Sequence, residues 1–171
     1  MTHESRLTRE LLSLLQERRV AALGTSCEDG APLVSMVPFA IEPGRACLVI
    51  HVSGLAAHTR NLQTAPAVSL LVMRAEVPGE PVHALPRVTL QGRVEALVPA
   101  SPGWEACRHA YLARFPEAEP MTQLGDFNFM AIHVTSARQV AGFGAARSLD
   151  AQAVAQVLGR AAAFGGTRSD V

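Results

Sequence analysis

The stretch from His51 to Leu62 carries the densest set of side chains that could bind an anion. It lies between two apolar, β-branched runs, so we predict that a strand ends there and a helix begins. Ser53 is a preferred residue type for the N-cap of that helix, and Gly54 permits a sharp turn. Backbone N–H groups left free at a helix start attract anions.

Four hydrogen-bonding side chains follow on the first turns of this predicted helix, which we place over Ser53–Thr64: His58, Thr59, Arg60 and Asn61. Together with Ser53 they could cradle a phosphate group. The alternative is an ordinary capped surface helix with a solvated arginine and histidine, and this stretch by itself does not decide between the two.

The composition excludes several function classes. The chain has 171 residues, 49% of them apolar and 18% charged, which predicts one globular domain over residues 1–171. Its formal net charge is zero, which argues against a nucleic-acid surface. All 15 basic residues are arginine, so no lysine can serve as a P-loop, Schiff-base or general-base residue.

Cysteine usage and the absence of long apolar runs bear on location. The three cysteines, Cys27, Cys47 and Cys107, form no C-x-x-C pair, and their odd number fits a reducing compartment. No apolar run approaches membrane-spanning length, and the chain starts without an apolar leader segment. We therefore expect a cytoplasmic protein that contacts neither membrane nor nucleic acid.

Hairpin-connected strands dominate the predicted secondary structure. Strands are predicted at Val20–Ser26, Pro32–Glu42, Ala46–His51, Val68–Met73, Pro86–Val98 and Phe127–Val134, and further helices at Ser5–Arg19, Pro102–Phe115 and Asp150–Phe164. Short turns between most strands favour antiparallel pairing. The chain is thus predicted to be mainly β (α+β), an antiparallel barrel of about six strands with peripheral helices.

Two strands have features that point beyond plain sheet structure. Pro38 lies inside the second predicted strand, where it cannot donate to a ladder, so that position should be an edge, a bulge or a place where the backbone faces another group. Arg87, Thr89 and Gln91 alternate along a later strand and should share one face. That face could meet a ligand or a second subunit, or it could be solvated.

The residues show no complete catalytic set. The six histidines lack metal-ligand spacing, no G-x-S-x-G elbow is present and no carboxylate pair stands out. No metal site is therefore expected. A chain with a candidate phosphate cradle but without an acid, base or nucleophile fits a protein whose bound cofactor performs the chemistry.

The chain resembles the FMN-binding split-barrel superfamily of pyridoxamine-5′-phosphate-oxidase-like proteins, and within it the haem-utilisation (HugZ-like) branch. The matching segments run in family order over roughly residues 10–148, before the predicted C-terminal helix at 150–164. They are Val20–Thr25, Pro32–Phe39, Ser53–Leu62, Pro66–Val72, Pro86–Arg93 and Gly125–Gly144.

This resemblance implies a split β-barrel that forms a homodimer with FMN sites in the subunit interface. The second strand would line the flavin ring with Ser35, Met36, Val37 and Pro38. The strand–helix turn would hold the phosphate through Ser53, His58, Thr59, Arg60 and Asn61. The strand ending in Gln91-Gly92 would reach the neighbouring subunit's site, with Arg87 and Gln91 as the matching contacts.

Three functions follow from the resemblance. The first is an FMN-dependent oxidoreductase acting on a small molecule, although Ser35 and Ala40 stand where the oxidase pattern has an arginine and a lysine. The second is a haem-binding or haem-utilisation protein, for which His51, His58, His83 and His133 are the candidate iron ligands. The third is a flavin-binding module without catalysis.

Overall fold

The computed structural model of the chain describes residues 3–161 and contains one curved antiparallel sheet. Four α-helices are present: α1 (His3–Glu17), α2 (Ala57–Thr64), α3 (Pro102–Arg114) and α4 (Ala151–Gly159). Short 3-10 helices span Val82–Ala84 and Pro116–Gln123. The eight strands are β1 (Val20–Ser26), β2 (Pro32–Pro38), β3 (Ala40–Glu42), β4 (Cys47–Ser53), β5 (Ala67–Met73), β6 (Arg87–Ala96), β7 (Phe127–Val140) and β8 (Ala146–Asp150).

The strand order explains why the sheet curls. The order is β2-β1-β5-β6-β7-β4-β3, so β2 and β3 form opposite ends of the hydrogen-bonded path. Only Phe39 separates these two strands in the chain, and its side chain is fully buried. The sheet must therefore bend until its two ends meet, which produces a barrel that is split between β2 and β3. The predicted antiparallel split barrel of the α+β class is confirmed.

Strand β7 is long enough to pair with three other strands. Its first part, Phe127–Ile132, pairs with β4, and Ser136–Val140 pairs with β8, while β6 pairs along its other side. β7 extends beyond the predicted end of this strand at Val134, and β8 has no counterpart among the predicted strands. A tight hairpin joins β7 to β8, and Ala141 N donates to Ala145 O across it.

Two further element boundaries differ from prediction. The predicted strand Pro32–Glu42 is broken at Phe39, and Pro38 ends the edge strand β2, so an edge is the one of its three expected positions that the structure shows. The C-terminal helix starts after the N-cap Asp150, whose carboxylate accepts from Ala153 N at 2.8 Å, and it ends at Gly159. The predicted end of this helix, residues 162–164, lies outside the described residues.

Apolar side chains form two cores on the two sides of β4. The barrel interior contains Leu48, Ile50 and Val52, and α1 and α4 close it. The alternate positions Cys47 and Val49 pack under α3 in a second core. Because successive side chains of a strand point to opposite faces, a strand covered on both sides is apolar along most of its length, as β4 is over its first four residues.

A bulge in β6 requires glycine, and this requirement gives a stability prediction. The register of β6 and β7 shifts between Gln91 and Gly92, and a Cβ on Gly92 would lie 2.5 Å from the carbonyl oxygen of His133. The variant Gly92→Ala should therefore lose about 2 kcal/mol of unfolding free energy. Urea denaturation measures the loss. Gly125→Ala is the control, since nothing lies within 4 Å of its added Cβ, and an equal loss in both variants would contradict the prediction.

Candidate functional site

The turn between β4 and α2 is built differently from the predicted one. Ser53 ends β4, and the N-cap of α2 is Ala56, which makes no side-chain capping bond. The Ser53 hydroxyl instead donates to Asp126 Oδ2 at 2.8 Å and accepts from Leu55 N at 3.2 Å. The predicted N-cap role of Ser53 is therefore wrong. The hydroxyl is used to hold the turn against the segment that precedes β7.

Two of the predicted cradle residues also stabilise this turn. Thr59 is fully buried, and its hydroxyl donates to the carbonyl of Ser53 at 2.6 Å. Arg60 is exposed, and its Nη1 donates to the carbonyl of Leu55 at 2.9 Å. Arg60 could therefore bind a ligand only through its other guanidinium N–H groups.

The other two cradle residues connect α2 to the edge of the sheet. His58 Nδ1 lies 3.0 Å from the Ser35 hydroxyl on β2, and Asn61 Nδ2 donates to Thr25 Oγ1 on β1 at 3.0 Å. Burial lowers the pKa of His58 below its ordinary value, so this imidazole is neutral at pH 7. The structure thus brings Ser35 into contact with His58, although they lie 23 residues apart.

A groove of about 520 Å³ runs across the outer face of β2, β1 and β5. Its apolar walls include Val34 and Met36, which are 68% and 64% exposed. Its lining residues are Arg18, Val20, Ala21, Ala22, Val34, Ser35, Met36, Leu71, Met73, Arg74, Ala75 and Glu76. Exposed apolar side chains clustered in a concave surface are typical of a binding site.

The four residues predicted to line a flavin ring divide between the two faces of β2. Met36 lies in the groove, and Ser35 lines it while its hydroxyl contacts α2. Val37 points into the barrel core and is 2% exposed, so only its backbone could meet a ligand. Pro38 is half-buried at the end of the strand, outside the groove lining.

The polar row on β6 faces outward on the same side of the sheet as the groove. Arg87 lies opposite Met73 of β5 and donates to the Leu85 carbonyl at 3.0 Å. Gln91 is exposed and accepts from the Ser136 hydroxyl at 3.1 Å. The predicted shared face is present, with two strands between it and β2.

Sequence reasoning missed the contribution of β1 and β5 to this groove. Val20 and Met73 are 42% and 40% exposed, and both line it. A usable signal was present, because the first four residues of β1 and all residues of β5 except Ser69 are apolar although one face of each strand is open. Strands that are apolar on both faces indicate a second covered surface.

The remaining candidate histidines lie away from the groove lining. His51 is buried against the rings of Phe127 and Phe129, and burial lowers its pKa to about 4. His133 Nε2 lies 2.6 Å from Glu95 Oε2, and His83 belongs to the first 3-10 helix. Across residues 3–161, no group of three or more histidine, cysteine or acidic side chains could hold a metal ion.

The sequence of the chain matches a family model over residues 7–141, and that model describes pyridoxamine 5′-phosphate oxidase. The chain belongs to the pyridoxamine 5′-phosphate oxidase family. Among relatives in this family, it is 30% identical over 145 residues to the heme oxygenase HutZ of Vibrio cholerae, covering 84% of this chain and 81% of HutZ. This relationship places the chain in the haem-utilisation branch of the family.

The chain spans less than two thirds of the length of two other proteins that it matches. This chain is 35% identical over 153 residues to the non-canonical heme oxygenase HOZ of Arabidopsis thaliana, a chloroplastic protein. The match covers 84% of this chain and 44% of HOZ. A solved structure of a heme-binding protein from Mycobacterium smegmatis superposes with a TM-score of 0.78 at 29% identity. That match covers 88% of this chain and 60% of the mycobacterial one.

The helices of residues 3–161 include none that is both long enough and apolar enough to cross a lipid bilayer.

Proposed function

We propose that this family member binds haem and takes part in haem utilisation, with the flat ring lying in the groove on the outer face of β2, β1 and β5. The observation that carries this proposal is the apolar groove of about 520 Å³ in a chain whose relatives HutZ and HOZ are named heme oxygenases. An exposed apolar wall suits a porphyrin ring, because burying the ring removes apolar surface from water.

The described residues place one histidine next to a residue that lines this groove. His58 is bonded to the groove-lining Ser35, and its imidazole is kept neutral by burial, which is the form that ligates iron. Met36 supplies a thioether on the groove wall itself. Bound haem would supply the redox chemistry, and these residues would position it and exclude water.

Titration with haemin tests the proposal. A shifted Soret band that saturates at one haem per chain or per two chains is expected, and no shift at stoichiometric protein would refute haem binding. The variant His58→Ala should change the position of the band if His58 ligates the iron. His109→Ala is the matched control, since His109 is an exposed residue of α3 outside the groove lining.

The exposed apolar wall also supports a homodimer. Val34 and Met36 present more than half of their side-chain surface on an edge strand, and such patches are rare on monomers. We propose that a second copy of the chain covers the groove, so that the cofactor lies between two subunits and Arg87 and Gln91 of one chain approach the site of the other.

Sedimentation of the wild type and of Met36→Glu tests this assembly. Burying a carboxylate without a partner is unfavourable, so Met36→Glu should raise the dissociation constant of the dimer at least about tenfold. The control is Val98→Glu, because Val98 is 71% exposed but lies outside the groove. A wild-type monomer at all concentrations would exclude the shared site.

A second candidate function is an FMN-dependent oxidoreductase acting on a small molecule. The family match and the polar side chains on and around α2 favour it. Ser35 and Ala40 are uncharged, so the phosphate would depend on His58, Arg60, Asn61 and backbone groups.

The prediction for this candidate concerns phosphate contacts. Replacing Arg60 by alanine should weaken FMN about tenfold, because a charge-assisted bond to phosphate is lost, and should leave riboflavin unaffected. Flavin fluorescence quenching measures both affinities. Absence of FMN affinity in the wild type would exclude the flavin candidate. A flavin-loaded protein that does not accelerate reduction of FMN by reduced nicotinamide cofactors would be a binding module.

A further inference from the structure

Two arginines border the outer groove at one end of the sheet. Arg18 precedes β1, and Arg74 follows β5 directly. Ala22 of β1 lies opposite Leu71 of β5 in an antiparallel pair, so the start of β1 and the end of β5 meet at the same end of the sheet. The two guanidinium groups therefore belong to one rim of the groove, beyond the apolar side chains of Val20 and Met73.

Neither of these side chains has a partner within the described part of the chain. The side chains of Arg18 and Arg74 form no hydrogen bond, ion pair or ring contact there. Other arginines are used structurally: Arg45 forms an ion pair with Glu95, and Arg114 donates to backbone carbonyls. A guanidinium group carries five donors and a permanent charge, and two of them beside an apolar wall are complementary to an elongated ligand with acidic groups at one end.

We propose that Arg18 and Arg74 bind the carboxylates of a dicarboxylic tetrapyrrole whose ring lies on the apolar wall of the groove. This inference rests on the haem-binding function proposed above and gives two further residues a role in that site. A porphyrin presents its two propionates at one edge, and the groove presents its two unpartnered arginines at one end. The apolar side chains Val34, Met36, Leu71 and Met73 would contact the ring.

One acidic side chain at this rim should affect the affinity for the ligand in the opposite direction to the two arginines. Glu76 lines the same end of the groove and forms no ion pair among residues 3–161. A carboxylate there repels an acidic ligand. Removing its charge should therefore strengthen binding, whereas removing either arginine should weaken it.

The experiment compares haemin with haemin dimethyl ester, whose carboxylates are blocked. Both are titrated into the wild type, Arg18→Gln and Arg74→Gln, and binding is followed by the Soret band. Each variant should weaken haemin about tenfold, because a charge-assisted hydrogen bond is lost, and should leave the ester within about twofold of the wild type. Glu76→Gln should tighten haemin about two- to threefold. Arg93→Gln is the control for charge, since Arg93 is exposed and lies outside the groove lining.

Each outcome decides between distinct claims. Equal losses of affinity for haemin and its ester would show a structural role for the arginines and overturn the inference. Unchanged affinity for both ligands would overturn it as well. A loss for FMN but not for haemin would also overturn it, because the recognised anion would then be a phosphate. Wild-type protein that binds neither porphyrin would refute the proposed haem function itself, whereas failure of the inference alone leaves wild-type haemin binding intact.

Discussion

Replacing Arg114 by methionine is expected to lower the free energy of unfolding by about 3 kcal/mol. Arg114 Nη2 donates to the carbonyls of Leu15 at 3.2 Å and Gln16 at 3.0 Å, and also to that of Arg18. Helix α1 has no basic residue in its last turn, so this side chain from α3 satisfies the carbonyls at its end. Methionine keeps much of the side-chain packing but leaves these carbonyls without a partner.

Chemical denaturation of Arg114→Met and Arg108→Met isolates this effect. Arg108 lies on the same helix, and its contact with Glu119 is a surface ion pair at 3.8 Å. Such pairs contribute about 0–1 kcal/mol, so Arg108→Met should cost far less. Arg114→Lys should recover only part of the loss, because an ammonium group lacks the planar geometry of guanidinium. If Arg114→Met were as stable as Arg108→Met, the proposed capping of α1 would be wrong.

Acid is expected to destabilise the protein through His51, by about 3 kcal/mol between pH 7 and pH 4. His51 is 7% exposed, and its Nδ1 makes no hydrogen bond with the described residues. Burial lowers its pKa from 6.5 to about 4 in the folded chain. The unfolded chain therefore binds a proton between these values that the folded chain does not, so stability is full above pH 6.5 and is lost as the pH falls toward 4.

The variant His51→Phe should remove this acid sensitivity. The groups facing His51 are the rings of Tyr111, Phe127 and Phe129, among which phenylalanine can pack without a buried unpaired nitrogen. Urea midpoints measured at pH 7 and pH 4.5 should differ much less in His51→Phe than in the wild type. His109→Phe, on the exposed face of α3, should retain the wild-type difference. An unchanged difference in His51→Phe would assign the acid sensitivity to the carboxylates instead.

Some features of the fold and of the site can be predicted from short stretches of sequence. The order of apolar runs, the hairpin turns and the strand–helix turn after β4 follow from spacing and residue type, which depend on near neighbours in the chain. The same holds for the outward row of Arg87, Thr89 and Gln91, since alternation fixes which residues share a face. The family resemblance depends on these local features and on no tertiary contact.

The role of Ser53 shows where such reasoning fails. Serine before a predicted helix favours an N-cap, yet its hydroxyl bonds to Asp126, which is 73 residues away in the chain. The Ser53 hydroxyl makes a long-range hydrogen bond in place of the local capping bond, and the helix begins at Ala57. The same competition cannot be seen in a local pattern, because the pattern does not contain the partner.

The sequence by itself determined the strand and helix pattern, the arginine-only basic chemistry and the family to which the chain belongs. Only the tertiary structure decided that β1 and β5 are neighbours, that Arg18 and Arg74 share one rim, and that His51 Nδ1 lies among aromatic rings without a partner in the described residues. Periodicity and turn chemistry are local properties of the backbone. The groove and the buried histidine depend instead on strand pairing between residues about 50 or more positions apart, which is set by the packing of the whole barrel.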